Sequence, residues 1–373
     1  MSFVREAFVK LYTTSHLEMK LQSGPVSPWQ VVLSDTERDD LSLPVSVEEI
    51  KAALWSMKPL KAPGPDGLHA RFFQRFWMIV GGSVVEEVQK CFETKKIPEA
   101  LNKTNVALIP KIQGPETISN YRPISLCNTV YKMVTKIIVA RIRPMLDKLV
   151  SPIQSAFVPG RKGVDNAIIV QELIHTISKK KGGVRYLAVK VDLEKAYDKL
   201  EWSFIKETLL KANFPRELID LIMNCVSSTT TSVLFNEGNL DPFRPSRGIR
   251  QGDPLSPYLF ILCMEVLGHL IEGKCREKLW TPVKASRSGI AFSHLFFADD
   301  LVLFAKANSS NCSAIKDALD EFCNRSGQSI SEAKSRVFFS PNVDRDTRKS
   351  LCDILGFSST PNLGKYLGFP IQH

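Results

Sequence analysis

The clearest pattern along the chain is a pair of short apolar runs, His294-Leu295-Phe296-Phe297 and Leu301-Val302-Leu303-Phe304-Ala305, separated by Ala298-Asp299-Asp300. Runs of this length, rich in Phe, Val and Leu, predict two buried strands, and Asp between them predicts a tight turn. The stretch is therefore expected to be a hairpin with charge at its tip. A second strand pattern lies at 186–192, where Leu187, Val189 and Val191 alternate onto one face and Asp192 closes the strand on the other. Further strands are predicted over 105–111, 120–124, 231–235 and 334–339. Helical patterns fill much of the rest. Ser46-Val47-Glu48-Glu49 is a capping box that opens a helix through Trp55 and Met57, ended by Pro59. Phe72, Phe73, Phe76, Trp77 and Val80 form the apolar face of the next helix. Others are predicted over 127–149, 165–179, 202–212, 216–227, 258–271 and 312–325, the last stopped by Gly327.

A chain of 373 residues has room for a large core and for two or three domains. Residues 1–45 mix four bases with six acids and read as a linker-like segment. The formal net charge of +10 favours a polyanionic partner, and its distribution sharpens that expectation. From residue 101 to 150, Lys103, Lys111, Arg122, Lys132, Lys136, Arg141, Arg143 and Lys148 face only Glu116 and Asp147. Eight cysteines with no C-x-x-C pair argue against a disulfide scaffold and a zinc site. No stretch resembles a signal peptide, and the apolar helix at 258–271 contains Glu265 and is too short to span a bilayer. The expectation is a soluble intracellular protein that is neither secreted nor membrane-bound.

Asp299-Asp300 alone is compatible with plain turn chemistry. The picture changes with Asp192, which ends a strand where it can point at the hairpin tip. Ionised carboxylates brought together repel one another, and a hard divalent cation bound through oxygen offsets that repulsion. The strand at 105–111 ends in Lys111, and its expected partner begins near Arg122. A hairpin carrying both suits a triphosphate, with a compact ammonium and a planar fork of donors, although each base read alone is more readily a solvated side chain. Arg247-Gly248-Ile249-Arg250-Gln251-Gly252-Asp253-Pro254 is a glycine-punctuated turn that opens a helix, with Ser256 as N-cap and Pro257 at its first position.

Three of these stretches, in this order, resemble the reverse transcriptase of non-LTR (LINE-type) retrotransposons, most of all those of plants. They are Asp192-Leu193-Glu194-Lys195-Ala196-Tyr197-Asp198, Arg250-Gln251-Gly252-Asp253-Pro254-Leu255-Ser256-Pro257 and Phe297-Ala298-Asp299-Asp300. Lys61-Ala62-Pro63-Gly64-Pro65-Asp66-Gly67, Ser155-Ala156-Phe157-Val158-Pro159-Gly160-Arg161 and Lys365-Tyr366-Leu367-Gly368-Phe369-Pro370 are similar to further motifs of the family, and the resemblance runs from about residue 33 to the last.

The resemblance implies an α+β, right-hand polymerase fold, with an antiparallel palm sheet packed on helices and the thumb largely missing. Its expected divisions are the linker-like segment 1–45, fingers over 46–181, palm over 182–340, and a primer-supporting hairpin with the start of a truncated thumb over 341–373. It also implies an RNA-directed DNA polymerase that adds deoxynucleotides to a DNA primer 3′-OH on an RNA template. Two Mg²⁺ ions, with Mn²⁺ as substitute, are expected on Asp192, Asp299 and Asp300. The same resemblance assigns Lys111, Arg122, Tyr197, Gln251, Gly252 and Lys334 to the nucleotide. Tyr197 is expected to act as the ring that excludes a ribose 2′-OH. Arg161, Arg250, Tyr366, Leu367 and Gly368 fall to the template and primer. Ile330-Ser331 stands where the family usually has Ile-Asn, a local departure.

The resemblance further suggests a truncated copy without the endonuclease that usually precedes this region and the domains that follow it, working in the nucleus or cytoplasm. Among alternatives, an RNA polymerase would carry Gly-Asp-Asp at the hairpin. A group II intron or telomerase-type enzyme would lack residues 61–67 and 155–161 in this form. The remaining alternatives are a catalytically incomplete relic that only binds nucleic acid and a defective fragment with no function in its host.

Overall fold

The computed structural model describes residues 2–14, 29, 31–236, 238–286 and 288–371. The chain divides into two compact units that interleave along the sequence. One draws on Met1–Met19, Val31–Met145 and Tyr197–Leu259, the other on Lys20–Gln30, Leu146–Ala196 and Phe260–His373.

The first unit is built on a four-stranded sheet in the order Tyr121–Cys127, Lys103–Pro110, Thr230–Phe235, Gly238–Asn239. Lys103–Pro110 pairs antiparallel with Tyr121–Cys127, from Thr104↔Cys127 to Pro110↔Tyr121, and parallel with Thr230–Phe235, from Lys103↔Thr230 to Val106↔Val233. The capping box at Ser46 forms as its sequence dictates: Glu49 N–H donates to Ser46 Oγ at 3.1 Å, and Ser46 N–H donates to the Glu49 carboxylate at 3.0 Å. Glu49 also grips Arg141, whose guanidinium reaches the carbonyls of Leu41, Leu43 and Pro44 as well.

Three local expectations are corrected in this unit. The stretch read as linker contains two helices, Ser2–Tyr12 and Asp35–Ser42. Phe8 of the first is 1% exposed and packs with Val106, Val233 and Leu240. Burying one such side chain is worth roughly 1.5–3 kcal/mol, far more than a linker would gain from its polar residues. The single helix expected around Phe72 to Val80 is broken at Phe76, whose φ of −104° and ψ of 23° separate Ala70–Arg75 from Trp77–Thr94. Phe73 is buried while Phe72 and Phe76 stay exposed, so the five positions do not form one buried stripe. The helix expected over 127–149 runs as Thr129–Ile142, tightens to a 3₁₀ turn over Arg143–Met145 around Pro144, and resumes as Leu146–Leu149.

The second unit is built on a five-stranded sheet in the order Ser358–Ser359, Arg336–Phe339, Tyr186–Asp192, Asp300–Lys306, His294–Phe297. Its pairings are antiparallel except at Ser358–Ser359. The helix Gly163–Ser178 packs Val170, Leu173, Ile174 and Ile177 into one core with Ala188, Val302, Phe304 and Phe338. Helix Ser309–Ser326 ends at Gly327 with φ of 74°, as its sequence predicts, and a further capped helix, Arg345–Leu355, follows.

Glu265 is 2% exposed in this unit and accepts the N–H of Ser151 at 3.0 Å. Burial pushes its carboxyl up to about 8; the Ser151 bond opposes this, nearby Glu272 adds to it and Arg161 opposes it. A carboxyl whose folded value is raised stabilises the fold fully below its unfolded value. That contribution is lost as pH rises through the folded value. Unfolding stability is therefore expected to fall between about pH 4.5 and 8, and Glu265→Gln should flatten that slope in urea unfolding curves taken across the range. An unchanged slope in the variant would assign the pH dependence elsewhere.

Candidate active site

Strand alternation and register bring the acids together. Tyr186–Asp192 pairs with Asp300–Lys306 so that Asp192 faces Asp300, with Lys190 opposite Val302 and Ala188 opposite Phe304. Residues facing each other across an antiparallel pair have Cα atoms about 4.5–5.5 Å apart and side chains on the same face. Asp192 and Asp300 therefore extend the face whose interior end is the Ala188, Val302 and Phe304 core. Phe297 pairs with Asp300, which makes Ala298-Asp299 a two-residue turn with the exposed Asp299 at its tip. Ala298 has φ of 52°. Of the two turn residues only Ala298 is left-handed, the sense of a type II′ hairpin, and a non-glycine residue pays roughly 1–2 kcal/mol there.

Electrostatics at this edge are those of crowded like charges. Loss of hydration raises the Asp300 carboxyl above its ordinary value, Asp299 beside it raises it further, Lys190 opposes, and Asp192 adds to the rise. Lys334 Nζ lies 3.8 Å from Asp192 Oδ1, and the Lys334 side chain is 72% exposed. The strand end is also held through its backbone: Asp192 N–H donates to Ser335 Oγ at 3.1 Å, and Ser331 N–H donates to Asp192 O at 2.8 Å. Residue 331 works through its main chain, so Ser in place of Asn leaves this anchor intact.

The donor set is all carboxylate oxygen, which suits a hard divalent cation. Among the described residues no three His, Cys, Asp or Glu side chains close into a cage. An ion held by these carboxylates would need further ligands beyond them.

The hairpin expected to support a primer belongs to the same unit. Lys365 pairs with Pro370 and Tyr366 with Phe369, around a turn in which Leu367 (φ 51°) and Gly368 (φ 83°) are both left-handed. Lys190 Nζ donates to Lys365 O, and Gln171 Nε2 donates to Pro370 O at 2.9 Å. Tyr366 is 1% exposed, so its ring is core and only the turn is presented. Gly163 sits where a Cβ would lie 2.7 Å from the Phe297 ring and 3.3 Å from Leu367, which packs this turn beside the acidic hairpin.

Arg161 corrects an expectation. Its guanidinium donates to the carbonyls of Asp147, Val150, Ser151 and Gln154 and to the Asp147 carboxylate, so it fastens backbone rather than reaching a template.

In the other unit, Lys111 and Arg122 stand exposed at one end of the 103–127 strand pair. Ile109 faces Arg122, and Lys111 N–H donates to Asn120 O at 2.8 Å. Gln251 O accepts the Ser125 N–H at 2.7 Å, and its Nε2 donates to Asp198. Gly252 has φ of 112°, and a Cβ there would meet Ser125 O at 2.9 Å, so only glycine fits. Tyr197 is half-buried, and its carbonyl accepts the Ile249 N–H.

Arg250 is the second correction. Its side chain is 9% exposed and donates to Asn102 Oδ1, Thr104 Oγ1, the Tyr131 hydroxyl and Cys225 O, with Asp253 at 3.2 Å. Both terminal nitrogens of this guanidinium are thus engaged within the protein.

The supports that the sequence did not reveal include Tyr12, whose hydroxyl donates to Asp198 Oδ1 at 3.0 Å. Asp198 is fully buried, and burial together with this carboxylate raises the Tyr12 phenol well above its ordinary value. Among the described residues no helix is long and apolar enough to cross a membrane.

A family model described as reverse transcriptase (RNA-dependent DNA polymerase) matches residues 109–371. The chain is 30% identical over 275 residues to the Transposon TX1 uncharacterized 149 kDa protein of Xenopus laevis, covering 74% of this chain and 20% of that one. It is 27% identical over 290 residues to the retrovirus-related Pol polyprotein from type-2 retrotransposable element R2DM of Drosophila melanogaster, covering 78% and 26%. Over a shorter stretch of 56 residues it is 52% identical to an uncharacterized mitochondrial protein of Arabidopsis thaliana, 15% of this chain and 46% of that one. The chain thus spans between a fifth and about a quarter of the two longer relatives.

Proposed function

The chain belongs to the reverse transcriptase (RNA-dependent DNA polymerase) family, and on that premise we propose that it is the RNA-directed DNA polymerase of a non-LTR retrotransposon, extending a DNA primer on an RNA template. The observation that carries this reading is the register that sets Asp192 against Asp300 with Asp299 at the adjoining turn. The family depends on divalent metal, and we take the ions to be two Mg²⁺, replaceable by Mn²⁺. When bound, they supply Lewis acidity that activates the primer hydroxyl and neutralises the leaving pyrophosphate.

The protein's own part is positioning. Asp192 and Asp299 hold the ions, Asp300 adds charge beside them, and Lys334 offsets charge on the leaving group. Lys111 and Arg122 take the triphosphate, Tyr197 excludes a 2′-OH, and Gln251 and Gly252 lie along the nucleotide and template. The turn at Leu367 and Gly368 supports the primer. In this reading the five-stranded sheet is a polymerase palm and the 103–127 strand pair belongs to the fingers.

Primer extension on an RNA template with Mg²⁺ and deoxynucleotides tests the proposal. Extension with deoxynucleotides and little with ribonucleotides is expected. RNA bound without extension would leave only a nucleic-acid-binding relic. Because phosphate contacts dominate affinity, RNA binding is expected to weaken at least about tenfold between roughly 50 and 200 mM salt, read by fluorescence anisotropy. A flat salt response would argue against phosphate contacts as the main source of affinity.

A further inference from the structure

Gln154 lies in no strand or helix and is completely buried in the unit that carries the acids. Its carboxamide oxygen accepts two main-chain N–H groups, that of Ala156 at 3.0 Å and that of Ala298 at 3.1 Å. Two donors on one atom fix that atom as oxygen. Its Nε2 is buried with no partner among the described residues.

The segment around Gln154 is locked to the strand that feeds the acidic hairpin. Phe296 N–H donates to Ile153 O, Ser155 N–H donates to Phe296 O, and Asn166 Nδ2 donates to both Ile153 O and Phe296 O. Arg161 fastens the carbonyl of Gln154 itself. This framework holds the carboxamide against Ala298, the residue whose left-handed backbone begins the turn carrying Asp299.

A buried donor without a partner is a cost that packing alone would remove by placing Met or Leu here. The oxygen, in contrast, does something no apolar side chain can: it holds the one turn N–H whose direction decides where the next two residues point. We propose that Gln154 is a positioning residue for nucleotide addition, whose buried carboxamide oxygen sets, through the Ala298 N–H, the geometry at which Asp299 and Asp300 leave the hairpin. This inference rests on the polymerase reading. It adds a residue whose effect on the reaction passes entirely through the main chain.

The test uses Gln154→Met, which removes the acceptor; Gln154→Glu, whose neutral, protonated form keeps both carbonyl-like bonds; and Gln154→Met combined with Ala298→Gly, which relieves the strained φ. Hydrogen exchange at residues 296–300 reports the turn, and steady-state primer extension reports chemistry. Q154M is expected to speed exchange at Ala298 and to lower kcat by about tenfold or more, with KM for the deoxynucleotide within about twofold. Q154E should stay near the parent in both readouts, and the added glycine should recover part of kcat.

Faster exchange with unchanged kcat would reduce Gln154 to a structural contact, and equal losses in Q154M and Q154E would show that the acceptor is not what matters. Either result overturns the proposal. If Q154M does not fold, Q154E decides: faster Ala298 exchange or lower kcat in that variant overturns the assignment, and parent-like values support it. A parent chain that fails to extend a primer removes the polymerase reading instead, while exchange at Ala298 still reports whether Gln154 sets the turn.

Discussion

Asp299→Ala is expected to lower single-turnover nucleotide addition by at least about a thousandfold, because several kcal/mol of charge stabilisation vanish with the carboxylate and each 1.36 kcal/mol is tenfold in rate. The fold should not suffer. Asp299 is exposed at a turn, and its charge is one of those that raise the Asp300 carboxyl above its ordinary value. Removing it takes a like charge away from a crowded edge, so the unfolding midpoint in chelator should hold or rise slightly. The two readouts together separate chemistry from structure. A variant that loses extension and keeps its midpoint identifies a group needed for reaction. Extension within about tenfold of the parent would make Asp299 turn chemistry alone and leave Asp192 and Asp300 to account for any activity. Asp192→Asn is expected to behave alike, since it keeps the backbone bonds to Ser335 and Ser331 while losing the charge.

The acids were legible in the sequence because strand geometry is strict. With side chains alternating at period two, Leu187, Val189 and Val191 inward forces Asp192 to the other face, and the apolar runs around Asp299 and Asp300 leave only the tip for the charges. Capping is almost as legible: Ser46 and Glu49 form the box their spacing announces. Ser34 and Glu37 form the same box ahead of Asp35–Ser42, and Asp344 caps Arg345–Leu355 through Thr347. Those last signals stand in polar segments, where few apolar residues announce a helix beside them. The helix at Ser2–Tyr12 is the converse, for Val4, Phe8, Leu11 and Tyr12 follow helical spacing, but their partners Val106, Val233 and Leu240 lie far along the chain, beyond the reach of any local pattern.

What pattern cannot reveal is a side chain whose partners are carbonyl groups. A base in a glycine-rich loop of a basic chain suggests phosphate, and nothing in composition says that Arg161 will meet the main-chain oxygens of Asp147, Val150, Ser151 and Gln154. Every residue carries such an oxygen, so only tertiary folding determines which guanidinium finds several at once. The same blindness hid Gln154, whose two donors are backbone amides 2 and 144 positions away.

Arg250 gives this distinction its largest consequence. Arg250→Ala is expected to destabilise the unit that contains it by about 3–5 kcal/mol, because removing one member of a buried charge pair strands the other. The stranded partner is Asp253, 3% exposed, which also accepts the Tyr131 hydroxyl at 2.6 Å. The loss would spread, since the guanidinium lies 4.1 Å from the centre of the Tyr131 ring and ties Asn102, Thr104 and Cys225 to the turn that carries Gln251 and Gly252. Arg250→Lys should recover little, because an ammonium cannot supply a planar fork of donors to partners on several sides. Urea unfolding measures the first effect. RNA affinity, compared without urea at a temperature where parent and variant are both folded, measures the second and should change by less than about threefold, since both terminal guanidinium nitrogens are engaged within the protein. A template-contacting arginine predicts the reverse, an unchanged unfolding midpoint with weakened RNA binding, and that result would return Arg250 to the nucleic-acid surface.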